Sequence, residues 1–386
     1  MKYKVIHILG IKKVGGAENA LFNLFSNWKD DRFDQKIYYT RNVEGPDVPF
    51  DKIGIETIPL NWKSERGFYK IFDLVKIFQK EKPHIVHTHI WAGNYWVIIA
   101  ARIARVPVII ETVHHSIKPS RFGLFMHFVF RWISEKLVDQ TVCVSSQVQN
   151  FLRSNFKQSL KKTSVIINGI DPEIKIKSDA GKSLKQELSI KENTPVFITI
   201  ANLRPYIKGY EVYIDALRSI AEKGLKDFKA LIVGEKTADA PEFPDYLKKT
   251  VSNYGLRQNV EFLGYRNDIS DLLEASDILV MPSISEGGPI VILEAMRSAR
   301  PVVATKTGAV HSYVIENKSG ITVQPGDSVE LADAIEWMLK NKDKWGSMGQ
   351  AGREHFINNF TIDKTVNEIT DLYLKLLDKK GMEVSS

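Results

Sequence analysis

Two carboxylates, Glu286 and Glu294, stand eight positions apart around Gly287, Gly288 and Pro289, directly after an apolar run that ends at Pro282. Carboxylates accept paired hydrogen bonds from vicinal hydroxyls, and glycine amides at the start of a helix suit a phosphate or sugar oxygen. A strand, a glycine-rich turn and a helix in that order place Glu286 in the loop and Glu294 two turns into the helix. A second set, Ala201 to Gly209, also follows a β-rich run and carries Arg204 and Lys208. These two cations lie within reach of one phosphate group. Basic residues at a helix start, beside the positive end of its dipole, are unfavourable unless an anion is held there. The plain alternative is a pair of solvated charges. A third set, Gly15-Gly16-Ala17-Glu18, opens a helix after the first apolar run. Glycine permits positive φ and close backbone approach, so this turn suits an anion or a sugar hydroxyl. It lacks the G-x-G-x-x-G spacing of dinucleotide-binding turns.

Histidines gather as His84, His87 and His89 around one apolar run and as His114 and His115 after another. Such a cluster suits either a metal ion or hydrogen-bonded imidazoles packed near strand ends. No Asp-x-Asp cation motif accompanies it, which favours the second reading. Trp62, Trp91 and Trp96 could stack on sugar rings or belong to the core. The stretch Arg121 to Trp132 reads as an aromatic helix with basic flanks, suited to an anionic bilayer or to burial.

The elements that must position these groups alternate. In the first half, β-rich runs at Lys4–Leu9, Lys36–Thr40, Ile85–His87, Val108–Thr112, Thr141–Val144 and Val165–Ile167 are separated by helical patterns at Ala17–Trp28, Phe68–Lys80, Ala92–Arg105 and Arg121–Lys136. Strands separated by helices predict a doubly wound parallel sheet, a Rossmann-like α/β domain. Periodicity lapses from about Asp171 to Asn193. A second series then runs through Val196–Ala201, Ala230–Val233, Val260–Leu263, Ile278–Met281 and Val302–Ala304. The division expected is residues 1–170 and 171–361, with a terminal helix at about 362–380 packing back on the first domain. In open α/β sheets ligands bind where strands end and helices begin, which is where the three sets fall.

A chain of 386 residues, 44% hydrophobic and 26% charged, suits two globular domains with a cleft between them. Its single cysteine, Cys143, excludes an intrachain disulfide and a cysteine-rich metal site and fits a reducing, cytoplasmic setting. No run approaches the roughly 18 uncharged apolar residues of a spanning helix. The net charge of +7 fits anionic substrates, an anionic membrane surface or nucleic acid. No basic stripe interleaved with aromatics supports the last.

The sequence resembles family 4 of the retaining glycosyltransferases, also called glycosyl transferases group 1, of the two-domain GT-B fold. Glu286 and Glu294 match that family's E-x7-E motif, and Pro-Val-Val-Ala-Thr at 301–305 follows it. The likeness extends over Gly-Gly-Ala-Glu at 15, His-Thr-His at 87, Thr-Val-His at 112, Ile-Asn-Gly-Ile at 167, Lys-Gly at 208 and Phe-Leu-Gly at 262.

The resemblance implies a retaining enzyme that moves a sugar from a UDP- or GDP-sugar to a saccharide or lipid-linked acceptor in cell-surface polysaccharide or glycolipid synthesis, with no metal and no cofactor. The first domain would bind acceptor and the second donor. Arg204 and Lys208 would hold the pyrophosphate, Glu286 the hydroxyls of the transferred sugar and Glu294 the ribose. Gly287, Gly288 and Pro289 would contact sugar and phosphate through their backbone. Gly15 and Gly16 would close over the phosphates, and Gly234, Glu235 and Tyr265 would line the base pocket. His114 would stand beside the transferred sugar and His89 on the acceptor side. In two places the chain departs from the family. Ala201-Asn202-Leu203 stands where Gly-Arg-Leu is usual, so the phosphate arginine is either moved to Arg204 or absent. His311 stands where a glutamate is common. Two other readings are a UDP-sugar 2-epimerase of the same fold and a noncatalytic protein that binds sugar nucleotides or polysaccharide. The setting expected is bacterial and cytoplasmic, with peripheral contact at the inner membrane face.

Overall fold

The computed structural model describes residues 2–11, 15–41, 48–62, 70–89, 94–114, 131–173 and 179–382. Their contacts form two units, Met1–Asp171 with Ile362–Ser386, and Pro172–Thr361.

The first unit runs β1 (Tyr3–Ile11), α1 (Gly16–Ser26), β2 (Phe33–Arg41), β3 (Glu56–Pro59), α2 (Lys70–Glu81), β4 (Ile85–Thr88), α3 (Asn94–Ile103), β5 (Val108–Val113), α4 (described over 131–137), β6 (Gln140–Cys143), α5 (Ser146–Phe156) and β7 (Thr163–Val165). The strands pair in parallel in the order β3-β2-β1-β4-β5-β6-β7. Every residue of β4 and β5 is buried, as in a sheet with helices on both faces. The chain winds outward from β1 to β3 and then returns to β4, so the order reverses between β1 and β4. In open α/β sheets such a switch point is where ligands bind.

The second unit repeats the plan with α6 (Ala180–Glu187), β8 (Val196–Ile200), α7 (Tyr210–Glu222), β9 (Lys229–Val233), α8 (Phe243–Asn253), β10 (Val260–Gly264), α9 (Ile269–Ala275), β11 (Ile278–Met281), α10 (Ile290–Arg297), β12 (Val302–Thr305), α11 (Val310–Tyr313), β13 (Gly320–Val323), α12 (Ser328–Lys340) and α13 (Trp345–Asn359). Its order is β10-β9-β8-β11-β12-β13, again parallel, with the reversal between β8 and β11. The final helix, α14 (Ile362–Asp378), belongs to the first unit. Ile369, Tyr373, Leu376 and Leu377 pack there with Tyr3, Val5, Phe33 and Ile85. The Thr365 hydroxyl accepts from the Gly169 amide and donates to the Ile167 carbonyl, both at 2.8 Å.

Three elements differ from the sequence expectation. β3 is short, and none of its residues is buried, so it carries no apolar run to betray it. α6 lies inside the stretch where periodicity lapses, because only Ala180 and Leu184 of its residues are buried. α10 begins at Ile290, so Glu294 stands just over one turn into its helix rather than two. Among the described residues no helix is long and apolar enough to cross a membrane. Most of the aromatic stretch at 121–132, with Trp91 and His115, lies outside the described residues. Within that stretch Arg131 is a core residue, bidentate to the buried Glu111 at 2.9 and 2.6 Å. Trp62 is likewise core rather than a sugar platform, with the Lys70 ammonium 4.5 Å above its ring.

Candidate functional site

At the switch point of the second unit, two loops are joined backbone to backbone. Gly209 ends the loop after β8 and caps α7 with φ +66. A Cβ at this position would lie 2.0 Å from the Pro282 carbonyl oxygen, so only glycine allows the loop after β11 to pass so close. The Ile284 amide then donates to the Ile207 carbonyl at 2.8 Å. From the far side Gly308, φ +54, presses on the same loop, where a Cβ would stand 2.5 Å from the Gly287 oxygen. The Thr305 hydroxyl donates to the Ser283 carbonyl.

This joining sets the charged pair. The Lys208 ammonium meets Glu286 Oε1 at 2.7 Å, and the Ser283 hydroxyl donates to the same oxygen at 2.9 Å. Both charged side chains are largely withdrawn from water, 23% and 13% exposed, which strengthens their interaction over that of a surface pair. Tyr210 fixes the loop from beneath by donating to the Ala201 carbonyl. Burial, and less strongly the Glu286 charge, pushes its phenol above its ordinary value. Nothing in the sequence pattern singled out Ser283. Its place three residues before Glu286 is its only signal.

Arg204 has a different partner from Lys208. Its guanidinium reaches exposed Asp239 at 3.4 Å. The loop turns sharply between the two cations, with the Ile207 amide donating to the Pro205 carbonyl at 2.7 Å across Tyr206, whose φ is +60 and whose ring is 83% exposed. Gly234 and Glu235 follow β9 along the same sheet edge. The Gly234 amide donates to Gly264, and the Glu235 carbonyl accepts from Leu203 at 2.8 Å. Tyr265, after β10, is 47% exposed. Gly288 and Pro289 lead into α10, whose first turn has no side-chain cap. Burial raises the Glu294 carboxyl above its ordinary value, with Arg297 opposing. His311 hydrogen-bonds the Gly308 carbonyl at 3.1 Å and so steadies the third loop.

In the first unit the glycine turn opens α1 without positive φ at Gly16, and Gly15 is extended, with φ −158 and ψ 170. Among the described residues, a Cβ on Gly16 would meet nothing within 4 Å. Burial pushes the neighbouring Glu18 carboxyl up to about 7.

The histidines divide. His84 sits before β4, at the opposite end from the others, accepts from the Lys4 amide at 2.9 Å and meets the Tyr3 ring edge-on. His87 and His89, with rings 4.2 Å apart, are joined by His7, which β-sheet register places opposite His87. Sequence reasoning missed His7 because it lies inside an apolar strand. The signal was its place on the Val5–Leu9 face. His114 follows, 5.9 Å from His89. Ring nitrogens of His7, His87 and His89 lie within 4.8 Å of one another, a spacing a metal ion could use. Hydrogen bonds compete for them: His87 binds the Tyr373 hydroxyl at 2.6 Å and Thr112 at 2.7 Å, and His7 binds Gln35 at 3.0 Å. Desolvation lowers His7 to about 4 and takes His87 and His89 well below their usual range, so all three rings are neutral.

The model described as "Glycosyltransferase Family 4" matches residues 14–174, and that described as "Glycosyl transferases group 1" matches residues 182–355. The chain is 27% identical over 387 aligned positions, 98% of each chain, to the UDP-Gal:alpha-D-GlcNAc-diphosphoundecaprenol alpha-1,3-galactosyltransferase of Escherichia coli. It is 27% identical to the N-acetyl-alpha-D-glucosaminyl L-malate synthase of Bacillus anthracis, over 80% of this chain and 79% of that one. Its fold is similar to Anabaena HepE in complex with UDP and glucose, with a TM-score of 0.84, 22% identity, and coverage of 96% and 99%. A glycosyltransferase from Rickettsia africae matches with a TM-score of 0.83, 22% identity, and coverage of 97% and 99%. With one family description over its first parallel-sheet unit and its companion over the second, the chain belongs to the family 4 glycosyltransferases of the GT-B fold.

Proposed function

We propose that this transferase takes a hexose from a UDP-sugar and passes it, with retention at the anomeric carbon, to a lipid-linked or soluble saccharide. The observation that carries the reading is the Lys208–Glu286 pair, held with Ser283 where the loops after β8 and β11 meet. A diphosphate leaving group needs a cation close to its departing oxygen, and a sugar bearing vicinal hydroxyls needs a carboxylate to hold it. Lys208 supplies the first and Glu286 the second, while the uncapped start of α10 offers amides to a phosphate oxygen. Arg204 gives a second positive charge on the same loop, and Glu294 serves the ribose. Gly234, Glu235 and Tyr265 stand at the neighbouring strand ends as the base pocket. UDP is favoured by the relative named for UDP-Gal and by the HepE fold that holds UDP.

In this reading no enzymic nucleophile is needed. The acceptor hydroxyl attacks the face from which the diphosphate leaves, and its proton passes to the leaving phosphate oxygen. The protein positions both partners and stabilises charge as the bond breaks. In the first unit His89 and His114 stand on the acceptor side. A metal is not required, and peripheral contact with the inner membrane face accompanies a lipid-linked acceptor. Release of the nucleoside diphosphate from UDP-galactose, UDP-glucose and GDP-mannose, measured with and without a GlcNAc-diphosphate lipid, tests the reading. Acceptor-dependent UDP release is the expected result, and release from GDP-mannose alone overturns the choice of donor.

A further inference from the structure

The imidazoles of the first unit form a chain whose direction can be worked out from its far end. The Gln35 carbonyl oxygen, Oε1, lies 3.0 Å from His7 Nε2. That oxygen has only lone pairs, so His7 Nε2 carries the hydrogen. His7 is neutral, held so by burial, and its Nδ1 is therefore bare. Nδ1 lies 3.2 Å from His89 Nε2, which must then donate. His89 is neutral as well, so its remaining nitrogen, Nδ1, carries a lone pair and no proton. That atom is buried and has no hydrogen-bond partner among the described residues. An orphaned buried acceptor of this kind is destabilising unless something donates to it.

His89 also lines a small cavity, of about 20 Å³, with His87, Thr112, His114, Asn168 and Leu21 among its walls. That volume admits one water or one hydroxyl and is too small for a sugar ring.

We propose that Gln35, acting through His7, fixes the tautomer of His89 so that its Nδ1 accepts a hydrogen bond from a single hydroxyl entering this cavity. Gln35 is a positioning residue: its amide is two imidazoles away from the hydroxyl it governs. The hydroxyl belongs either to a resident water or to a substrate. Only the second source rests on the acceptor-side reading of His89, whereas the tautomer follows from the hydrogen bonds alone.

The full-length protein, labelled with 15N in histidine, tests the relay by two-bond proton–nitrogen correlation, with His89→Asn to assign the lines. The expected spectrum has His89 Nδ1 at the position of an unprotonated nitrogen and Nε2 at that of a protonated one. Gln35→Leu removes the anchoring acceptor and moves both lines towards a tautomer average, while Gln35→Glu, which still accepts from His7, keeps them in place. A wild-type spectrum with His89 Nδ1 protonated overturns the proposal whether or not either variant folds. Unchanged His89 lines in a folded Gln35→Leu protein overturn it too. A cross-peak from the His89 ring to bound water assigns the hydroxyl to water, and a shift of Nδ1 on titration with benzyl α-N-acetylglucosaminide assigns it to a substrate. Neither response, in a protein with the expected tautomer, removes the hydroxyl from the proposal and so refutes it.

Discussion

Replacing Gly209 by alanine tests whether backbone contact between two loops positions the charged pair. Two costs are separable. Holding alanine at φ +66 costs about 1–2 kcal/mol in left-handed strain. The new Cβ would also lie 2.0 Å from the Pro282 oxygen, against an ordinary contact of at least 3.4 Å, so the loops must part by about 3.4 − 2.0 = 1.4 Å. Overpacking of that kind costs about 1–3 kcal/mol. Gly255 is the internal control: it sits in the same unit with φ +70, and a Cβ there meets nothing within 4 Å. Gly255→Ala therefore carries the conformational cost alone. Urea unfolding, followed through the transition that both variants shift, should show Gly209→Ala less stable than Gly255→Ala by about 1–3 kcal/mol. UDP release should discriminate further, because parting the loops strains the 2.7 Å contact between Lys208 and Glu286, while Gly255→Ala leaves it alone. Equal destabilisation by the two substitutions, with equal turnover, would refute the claim that this close approach builds the site.

Alanine at Lys208 or glutamine at Glu286 should lower turnover about 10²–10³-fold, whereas Ser283→Ala, removing one of two hydrogen bonds to the same oxygen, should cost about tenfold; near-normal rates for either charged-residue variant would sink the donor-site assignment. The first unit should weaken in mild acid. His7 is neutral when folded, with its pKa lowered from 6.5 to about 4, so the unfolded chain binds the extra proton between these values. Its contribution, about 3 kcal/mol, is complete above pH 6.5 and is lost as pH falls to 4, and His87 and His89 act in the same direction. Glu18 opposes them, since its raised pKa removes stability as pH rises from 4.5 through 7; melting curves that stay flat between pH 7 and 4 would contradict the burial of the histidine cluster. Tyr373→Phe leaves buried His87 Nδ1 without its 2.6 Å partner and should cost about 1–3 kcal/mol, read as faster hydrogen exchange along α14. Prolonged dialysis against EDTA should leave the transfer rate unchanged, because two of the three imidazoles that could bind an ion, His7 and His87, are held in hydrogen bonds to Gln35, Thr112 and Tyr373.

The part of this molecule legible in its sequence is the part where chain order and spatial order agree. Alternating apolar runs and helical patterns recover the two parallel sheets because a strand buried on both faces, such as β4 or β5, leaves no polar position to blur it. Glu286, Lys208 and Gly209 are legible for the same reason: each sits where a strand hands over to a helix, and two such places meet because the strand order reverses between β8 and β11. What escaped depends on contacts made across the sheet or on surfaces with little burial. β3 and α6 bury too little apolar surface to impose a period on their residues. His7 looks like any polar residue in a strand until register sets it opposite His87, and Gln35 until its amide reaches His7 from β2. Ser283 gains its meaning only from the Glu286 oxygen it shares with Lys208. Arg204 adds a further case, since it pairs with Asp239 and Lys208 with Glu286 on either side of a sharp turn at Tyr206, a difference that their closeness in sequence does not reveal. Charge spacing along a loop therefore bounds which groups can meet, and the backbone turn between them decides which do. For a loop that serves a diphosphate, that turn matters as much as the cations it separates.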